Sequence, residues 1–155
     1  DMQAGWEQMC SNMTAGLSGL NMVYEAAGMH ASLLGFCHES LIMGNDIIGQ
    51  ALRCVRGIEV DEVTMAVDQI RSVCLGGPGH YLGTDETLAR MESDYVYPLT
   101  GDRTSPKEWA EIGKPNLVQT AIAKKEEILA ERSAAAFDPL LDLNIRENFN
   151  IHLDV

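Results

Sequence analysis

The chain has 155 residues, enough for one domain with its own core, and 46% of them are hydrophobic. Eleven Lys and Arg against 23 Asp and Glu leave a formal net charge of −12, so there is no basic stripe to displace counterions from a phosphate backbone and nucleic acid is excluded as a partner. No apolar run approaches membrane-spanning length and no signal-type leader opens the chain, so no membrane partner is expected and the expected setting is cytoplasmic.

The first predicted element is a helix. Met2, Trp6, Met9, Met13, Leu17 and Leu20 recur every three or four residues and form one apolar stripe. Ala4, Gly5, Ala15, Gly16 and Gly19 are small enough to let a neighbouring backbone come close. The stripe reads as packing, with a methionine-rich binding face as the alternative. Leu20 to Tyr24 follows as a short apolar run, ended by Glu25 and the small residues Ala26, Ala27 and Gly28. Such a run predicts a strand buried on both faces. Helix, short strand and small-residue loop together are the rhythm of a parallel α/β fold. A polar residue at the C-terminal end of such a strand is well placed for chemistry, which brings Tyr24 and Glu25 forward. Ser32 to Phe36 predicts a second strand.

From Asn45 the chain reads as mostly helical. Ile47, Ile48, Ala51, Leu52 and Val55 form one face, and Gly57 stands where a left-handed C-terminal residue is wanted. Asp61 is placed to cap a helix with Val63, Ala66, Ile70 and Val73 inward, and Gly76-Gly77-Pro78-Gly79 ends it. Another helix is expected from Thr84 to about Glu92, with Leu88 and Met91 inward. Ser105, Pro106 and Glu108 spell a helix start with a capping box. Trp109 and Ile112 give that helix its apolar side, and Gly113 and Pro115 stop it. Asn116 opens the last long helix, which is expected to reach about Ser133. The tail from 134 to 155 holds Asp138-Pro139 and scattered leucines but predicts no element. One or two isolated strands cannot make a stable sheet. The chain therefore reads as mostly helical, with residues 1–133 the closing part of a larger α/β structure and 134–155 a C-terminal tail.

Candidate chemistry is sparse. His30, His38, His80 and His152 show no metal-ligand spacing and no HExxH, which disfavours a zinc hydrolase. Cys10, Cys37, Cys54 and Cys74 contain no CxxC pair; three of them fall on apolar faces or in an apolar run and read as small hydrophobes, in a reducing compartment. Gly79 and His80 close a glycine run that permits positive φ and close approach by a ligand; the alternative is a turn with a hydrogen-bonded histidine. The run has neither the GxGxxG of a dinucleotide fold nor the GK[ST] of a P-loop. Gln3, Glu7, Tyr24, Glu25, His38 and Glu39 make a candidate polar cluster, because carboxylates and a tyrosine face attract a methylated ammonium group. Glu7 and Glu39, on spacing alone, also read as a solvated helix face.

Several blocks carry a family resemblance. Gly76-Gly77-Pro78-Gly79-His80-Tyr81-Leu82-Gly83-Thr84, then Glu86-Thr87-Leu88, Tyr95-Val96-Tyr97-Pro98 and Asp102-Arg103 resemble the C-terminal signature of the trimethylamine methyltransferase family. Asp1-Met2-Gln3-Ala4-Gly5-Trp6-Glu7 resembles its D-x-Q-A-G-aromatic-E segment, and Arg56 to Val60 and Ser105 to Trp109 match further blocks in order. The resemblance covers nearly the whole chain except the last twenty or so residues. It implies the α/β class: the C-terminal portion of a TIM (β/α)8 barrel, of which this chain supplies the last strand or strands and the terminal helices. It also implies methyl transfer from a tertiary or quaternary methylamine to the cobalt of a corrinoid (cobalamin) on a separate protein, with no cofactor bound directly. Founding members of the family carry pyrrolysine, whose position would fall before Asp1, while relatives without it demethylate glycine betaine or similar amines. Cobalt is the nucleophile in such a reaction, so no catalytic side chain is assigned here; the enzyme's task is positioning.

Position along the chain then makes Tyr24, Glu25, Gln3 and Glu7 the expected substrate contacts. His80 and Gly79 are expected near the rim where the corrinoid protein docks. The other reading is a non-catalytic helical interaction fragment, and coding sequence ahead of Asp1 discriminates the two. Helices that lack the sheet they should cover also predict self-association, so a homo-oligomer is expected.

Overall fold

A computed structural model describes residues 2–131 and 138–151; the expected helix end at Ser133 and the histidine at 152 lie outside them. Among the described residues there are seven helices and one two-stranded sheet. The chain divides into two compact units, 1–125 and 126–155.

Helix α1, Met2–Leu17, stops where glycine allows it. Leu20 N donates to Ala15 O and Gly19 N to Gly16 O, with Gly19 at φ 76°, a Schellman ending that satisfies the orphan carbonyls of the last turn. The chain has left the helix before Leu20, and the expected strand from Leu20 to Tyr24 does not form. That run carries no sheet pairing and lies open, with Met22 87% and Tyr24 81% exposed, so the expectation of burial on both faces is corrected. An apolar run becomes a strand only when another strand satisfies its N–H and C=O groups, and none of the described strands does so.

What forms instead is a hairpin of β1, Met29–His30, and β2, Gly35–Phe36. It pairs antiparallel, Met29 with Phe36 and His30 with Gly35. The second expected strand thus keeps only its last two residues, and the parallel rhythm read for this region is not seen in it. Ala31, Ser32 and Leu33, at φ 50°, 53° and 69°, form the turn.

Helix α2, His38–Arg56, begins seven residues earlier than its apolar periodicity suggested. Cys37 caps it, its Sγ accepting from Ser40 N at 3.4 Å, and Glu39 in the first turn complements the helix dipole. Gly57 ends it with positive φ, 73°, but its ψ of −159° is not that of the left-handed residue expected there. α1 packs on α2 through small residues: a Cβ at Gly16 would sit 2.7 Å from Val55 Cγ2, and one at Gly44 would sit 3.0 Å from Gln8 Nε2 and collide with Ala27 Cβ of the connecting segment. Buried Asp46 ties α2 to the segment that follows later in the chain. Its carboxylate accepts from Leu99 N at 2.7 Å, Thr100 N at 2.8 Å and Thr100 Oγ1 at 2.6 Å. Burial pushes its pKa up, but the Thr100 hydroxyl and the backbone N–H groups outweigh that and hold it below 3.8.

Asp61 caps only a turn. Thr64 N donates to its Oδ1, but Ala66 then takes a left-handed φ of 49° and breaks the expected helix, so α3 is Val67–Cys74. Of its expected inner face only Val73 is buried. The glycine run ends α3 as read. A Cβ on Gly77 would collide with Ser72 O and Val73 O, and Gly76 and Gly79 have φ 94° and 75°. α4, Asp85–Asp94, is capped by Thr84. Its C-terminal carbonyls are held by α2: Arg53 Nε donates to Asp94 O, and both terminal nitrogens of Arg56 donate to Ser93 O.

α5, Pro106–Glu111, carries the capping box as expected, with Ser105 N donating to Glu108 Oε2 and Glu108 N to Ser105 Oγ. Trp109 Nε1 donates to Pro115 O at 2.9 Å, clamping the exit loop, in which Gly113 has φ 90°. α6, Leu117–Ala130, starts at Asn116, whose side chain accepts from Gln119 N while Gln119 Oε1 accepts from Asn116 N. In the second unit the tail, read as predicting no element, forms α7, Pro139–Asn148, capped by Asp138. The buried apolar core among the described residues is small: Ala51, Val73 and Ala121. All four cysteines are free and exposed, so their reading as packed small hydrophobes is corrected.

Candidate functional site

One face of α1 and the segment after it enclose a cleft of about 470 Å³. Glu7 enters from the helix, Tyr24 and Glu25 from the connecting segment, and His30 and Ser32 from the hairpin. The architecture of that wall is set by one carbonyl. Ala26 O accepts from Asn12 Nδ2 at 3.0 Å and from Gln8 Nε2 at 3.2 Å, so two α1 side chains pin the segment that carries Tyr24 and Glu25. Glu25, next to the pinned carbonyl, sits at φ 55°, a conformation uncommon outside glycine. Gln3 Nε2 donates to Glu7 Oε1 at 2.9 Å one turn away and orients that carboxylate. The four expected substrate contacts are therefore brought together. Glu7, Tyr24 and Glu25 line the cleft and Gln3 braces Glu7.

The rest of the predicted polar cluster goes elsewhere. His38 packs its ring edge on Phe36, centroids 5.3 Å apart. Glu39 accepts from Lys125 Nζ at 2.8 Å, and that hydrogen bond first, then the Glu39 backbone amide, lowers its pKa below 4.5. Gly79 and His80 stand exposed on the loop after α3 and do not line the cleft. Beside them, Tyr81 Oη and Cys74 Sγ lie 3.5 Å apart, and this contact raises the tyrosine's pKa.

His30 is the residue that sequence reasoning passed over, because it was weighed only as a metal ligand. Its Nε2 lies 2.5 Å from Ser40 Oγ, on the first turn of α2. The sequence cue was a lone histidine among small and apolar residues directly after the small-residue loop. A second, larger cleft of about 680 Å³ lies around Arg53, Arg56, Arg90, Glu86 and Asp94. Its arginines are committed to acidic and carbonyl partners: Arg56 to Asp94 at 2.9 Å, Arg90 to Glu86 at 2.7 Å and Arg53 to two carbonyls at 2.8 Å. That cleft reads as a helix-end clamp; the smaller one, where Glu7, Tyr24 and Glu25 meet, is the candidate site.

Two carboxylates and an accessible tyrosine, with no Lys or Arg lining the cleft, can hold a compact organic cation by charge and cation–π attraction. Comparison with known proteins gives the family. The family described as trimethylamine methyltransferase (MTTB) matches residues 1–151. A glycine betaine methyltransferase of Desulfitobacterium hafniense (strain Y51) is 34% identical over 146 residues, covering 94% of this chain and 30% of the relative. A trimethylamine methyltransferase MttB of Methanosarcina barkeri (strain Fusaro / DSM 804) is 33% identical over 139 residues, 89% of this chain and 27% of the relative. Another MttB, from Desulfitobacterium hafniense (strain DSM 10664 / DCB-2), is 31% identical over 129 residues, 83% of this chain and 25% of the relative. The chain thus spans less than a third of the length of these relatives.

Proposed function

The chain belongs to the trimethylamine methyltransferase family, and we propose that it is the part of such an enzyme that grips the methylated nitrogen of the substrate. In this reading it forms the C-terminal portion of a TIM (β/α)8 barrel, and the reaction moves one methyl group from a tertiary or quaternary methylamine to a corrinoid on a partner protein. The observation that carries the reading is the cleft in which Glu7, Tyr24 and Glu25 meet.

The chain's own residues have positioning work to do. Glu7 and Glu25 supply the negative charge that draws the cation in, and the Tyr24 ring supplies a face for its methyl groups. Gln3 holds the Glu7 carboxylate in one orientation. The Ala26 clamp keeps Tyr24 and Glu25 fixed, so that one N–CH3 bond is presented in a constant direction. A corrinoid, when its carrier docks, supplies the nucleophile that takes the methyl group. Gly79 and His80, exposed on their loop, are open to such a carrier.

Tetramethylammonium tests the cleft directly. Titrated into the 15N-labelled chain, it should shift the amides of Glu7 and residues 24–26. Glu25→Gln should weaken that binding by about tenfold or somewhat less, the weight of one charge contact. Binding that is absent, or indifferent to both Glu7→Gln and Glu25→Gln, would contradict the assignment.

A further inference from the structure

Ser40 is buried, 6% exposed, and its hydroxyl has one hydrogen-bond partner among the described residues, His30 Nε2 at 2.5 Å. No buried side-chain polar atom among the described residues is left without a partner. A buried hydroxyl that only accepted would leave its own proton unsatisfied, which proteins avoid. Ser40 therefore donates, and Nε2 accepts. An imidazole that accepts at Nε2 carries its proton on Nδ1. The Nδ1 atom makes no hydrogen bond among the described residues, and the ring lines the cleft that Glu7 and Glu25 share.

The geometry points to Ser40 as a positioning residue: by donating to His30 Nε2 it favours the Nδ1–H tautomer of the ring, which serves the cleft as a hydrogen-bond donor to an acceptor group on the substrate. The inference rests on the cleft being the substrate site and deepens it. Two carboxylates attract the cationic end, and they can accept but not donate when ionised. A donor on the hairpin wall gives the same cleft a second, opposite preference. The substrate class so favoured is a methylated ammonium that also bears an acceptor, a carboxylate or a hydroxyl, a few bonds from the nitrogen. A bare tetraalkylammonium uses only the first half of the site.

The first measurement is the tautomer. Long-range 1H–15N correlation spectra of the histidine-labelled chain should show His30 protonated at Nδ1, and Ser40→Ala should move it toward the Nε2–H form that a free imidazole prefers. A wild-type ring protonated at Nε2 overturns the inference. The second is binding of two probes, tetramethylammonium and trimethylammonioacetate. Ser40→Ala should weaken the acceptor-bearing probe several-fold to tenfold and leave tetramethylammonium unchanged, and His30→Ala should weaken the acceptor-bearing probe more than it weakens tetramethylammonium. His30→Asn, whose Nδ2 stands two bonds from Cβ as Nδ1 does, should restore the difference. If both probes weaken together in every variant, Ser40 and His30 are only structural and the inference falls. If tetramethylammonium binds and depends on Glu25 while the acceptor makes no difference, this inference fails and the proposed function stands. If tetramethylammonium does not bind the wild-type chain, the cleft reading fails and takes this inference with it.

Discussion

Glu25 holds its carboxylate in the cleft from a backbone at φ 55°, where an L-residue meets its own carbonyl. Replacing it with glycine removes that conflict, worth roughly 1 kcal/mol, but adds a comparable loss of chain entropy on folding. Glu25→Gly should therefore leave the urea midpoint nearly unchanged while tetramethylammonium binding falls as far as in Glu25→Gln; a large stability loss would mean the side chain is structural. Asp46 behaves oppositely. Its folded pKa lies below its ordinary 3.8, so its contribution is fully present above the unfolded value and is lost as pH falls through the folded one. The acid limb of stability below about pH 4 should thus be shallower in Asp46→Asn. At neutral pH that variant should be about 2 kcal/mol less stable, because an amide cannot accept at both ends. Equal slopes for the two proteins would show that Asp46 is not linked to unfolding. Tyr24 and Glu25 were singled out from the sequence as the end of a strand that does not form; what brings them to the cleft is the Ala26 clamp, which the sequence does not spell. The Ser40–His30 pair was not singled out, because hydrogen bonding across ten residues depends on where the hairpin turns.

At the scale of elements, helix boundaries set by local chemistry were readable and those set by partners were not. Ser105-Pro106-x-Glu108 formed the expected box, and Asp138-Pro139 uses the same cap-and-proline device, so α7 was also present in the letters. The α2 start was hidden because cysteine is not among the ordinary capping residues. The Leu20–Tyr24 strand was misjudged because pairing is non-local, and composition cannot say whether a partner strand exists. The glycines of α1 and α2 make a paired test. Gly5 has open space around it, so Gly5→Ala should gain roughly 0.5–1 kcal/mol in helix propensity. Gly44 has no such room beside Ala27, so Gly44→Ala should lose about 1–3 kcal/mol by overpacking. Thermal melts that rank the two variants the other way would refute this packing.

At the scale of the whole molecule, apolar exposure dominates. No large side chain among the described residues is fully buried, while Met22, Leu34, Ile58, Leu75 and Leu82 each expose more than 75% of their surface. Where such residues cluster, they mark a face made to be covered. No helix among the described residues is long and apolar enough to cross a membrane. Sedimentation velocity should therefore show the chain self-associating, reversibly weakened by mild detergent. A sharp monomer peak at high concentration would oppose that expectation. The sequence conveyed this shortage of sheet clearly, since it follows from counting strands.

The clamp between Trp109 and Pro115 gives the molecule two independent optical reporters. The chain has two tryptophans. Trp109 is half-buried with its indole hydrogen-bonded to a carbonyl, whereas Trp6, beside Glu7 on α1, is 60% exposed. Their emission spectra should separate, with Trp109 bluer and less open to iodide quenching than Trp6. In a Trp6→Phe variant the remaining fluorescence follows the α5 exit loop alone. In Trp109→Phe it follows α1, so that local melting at the two places is read separately.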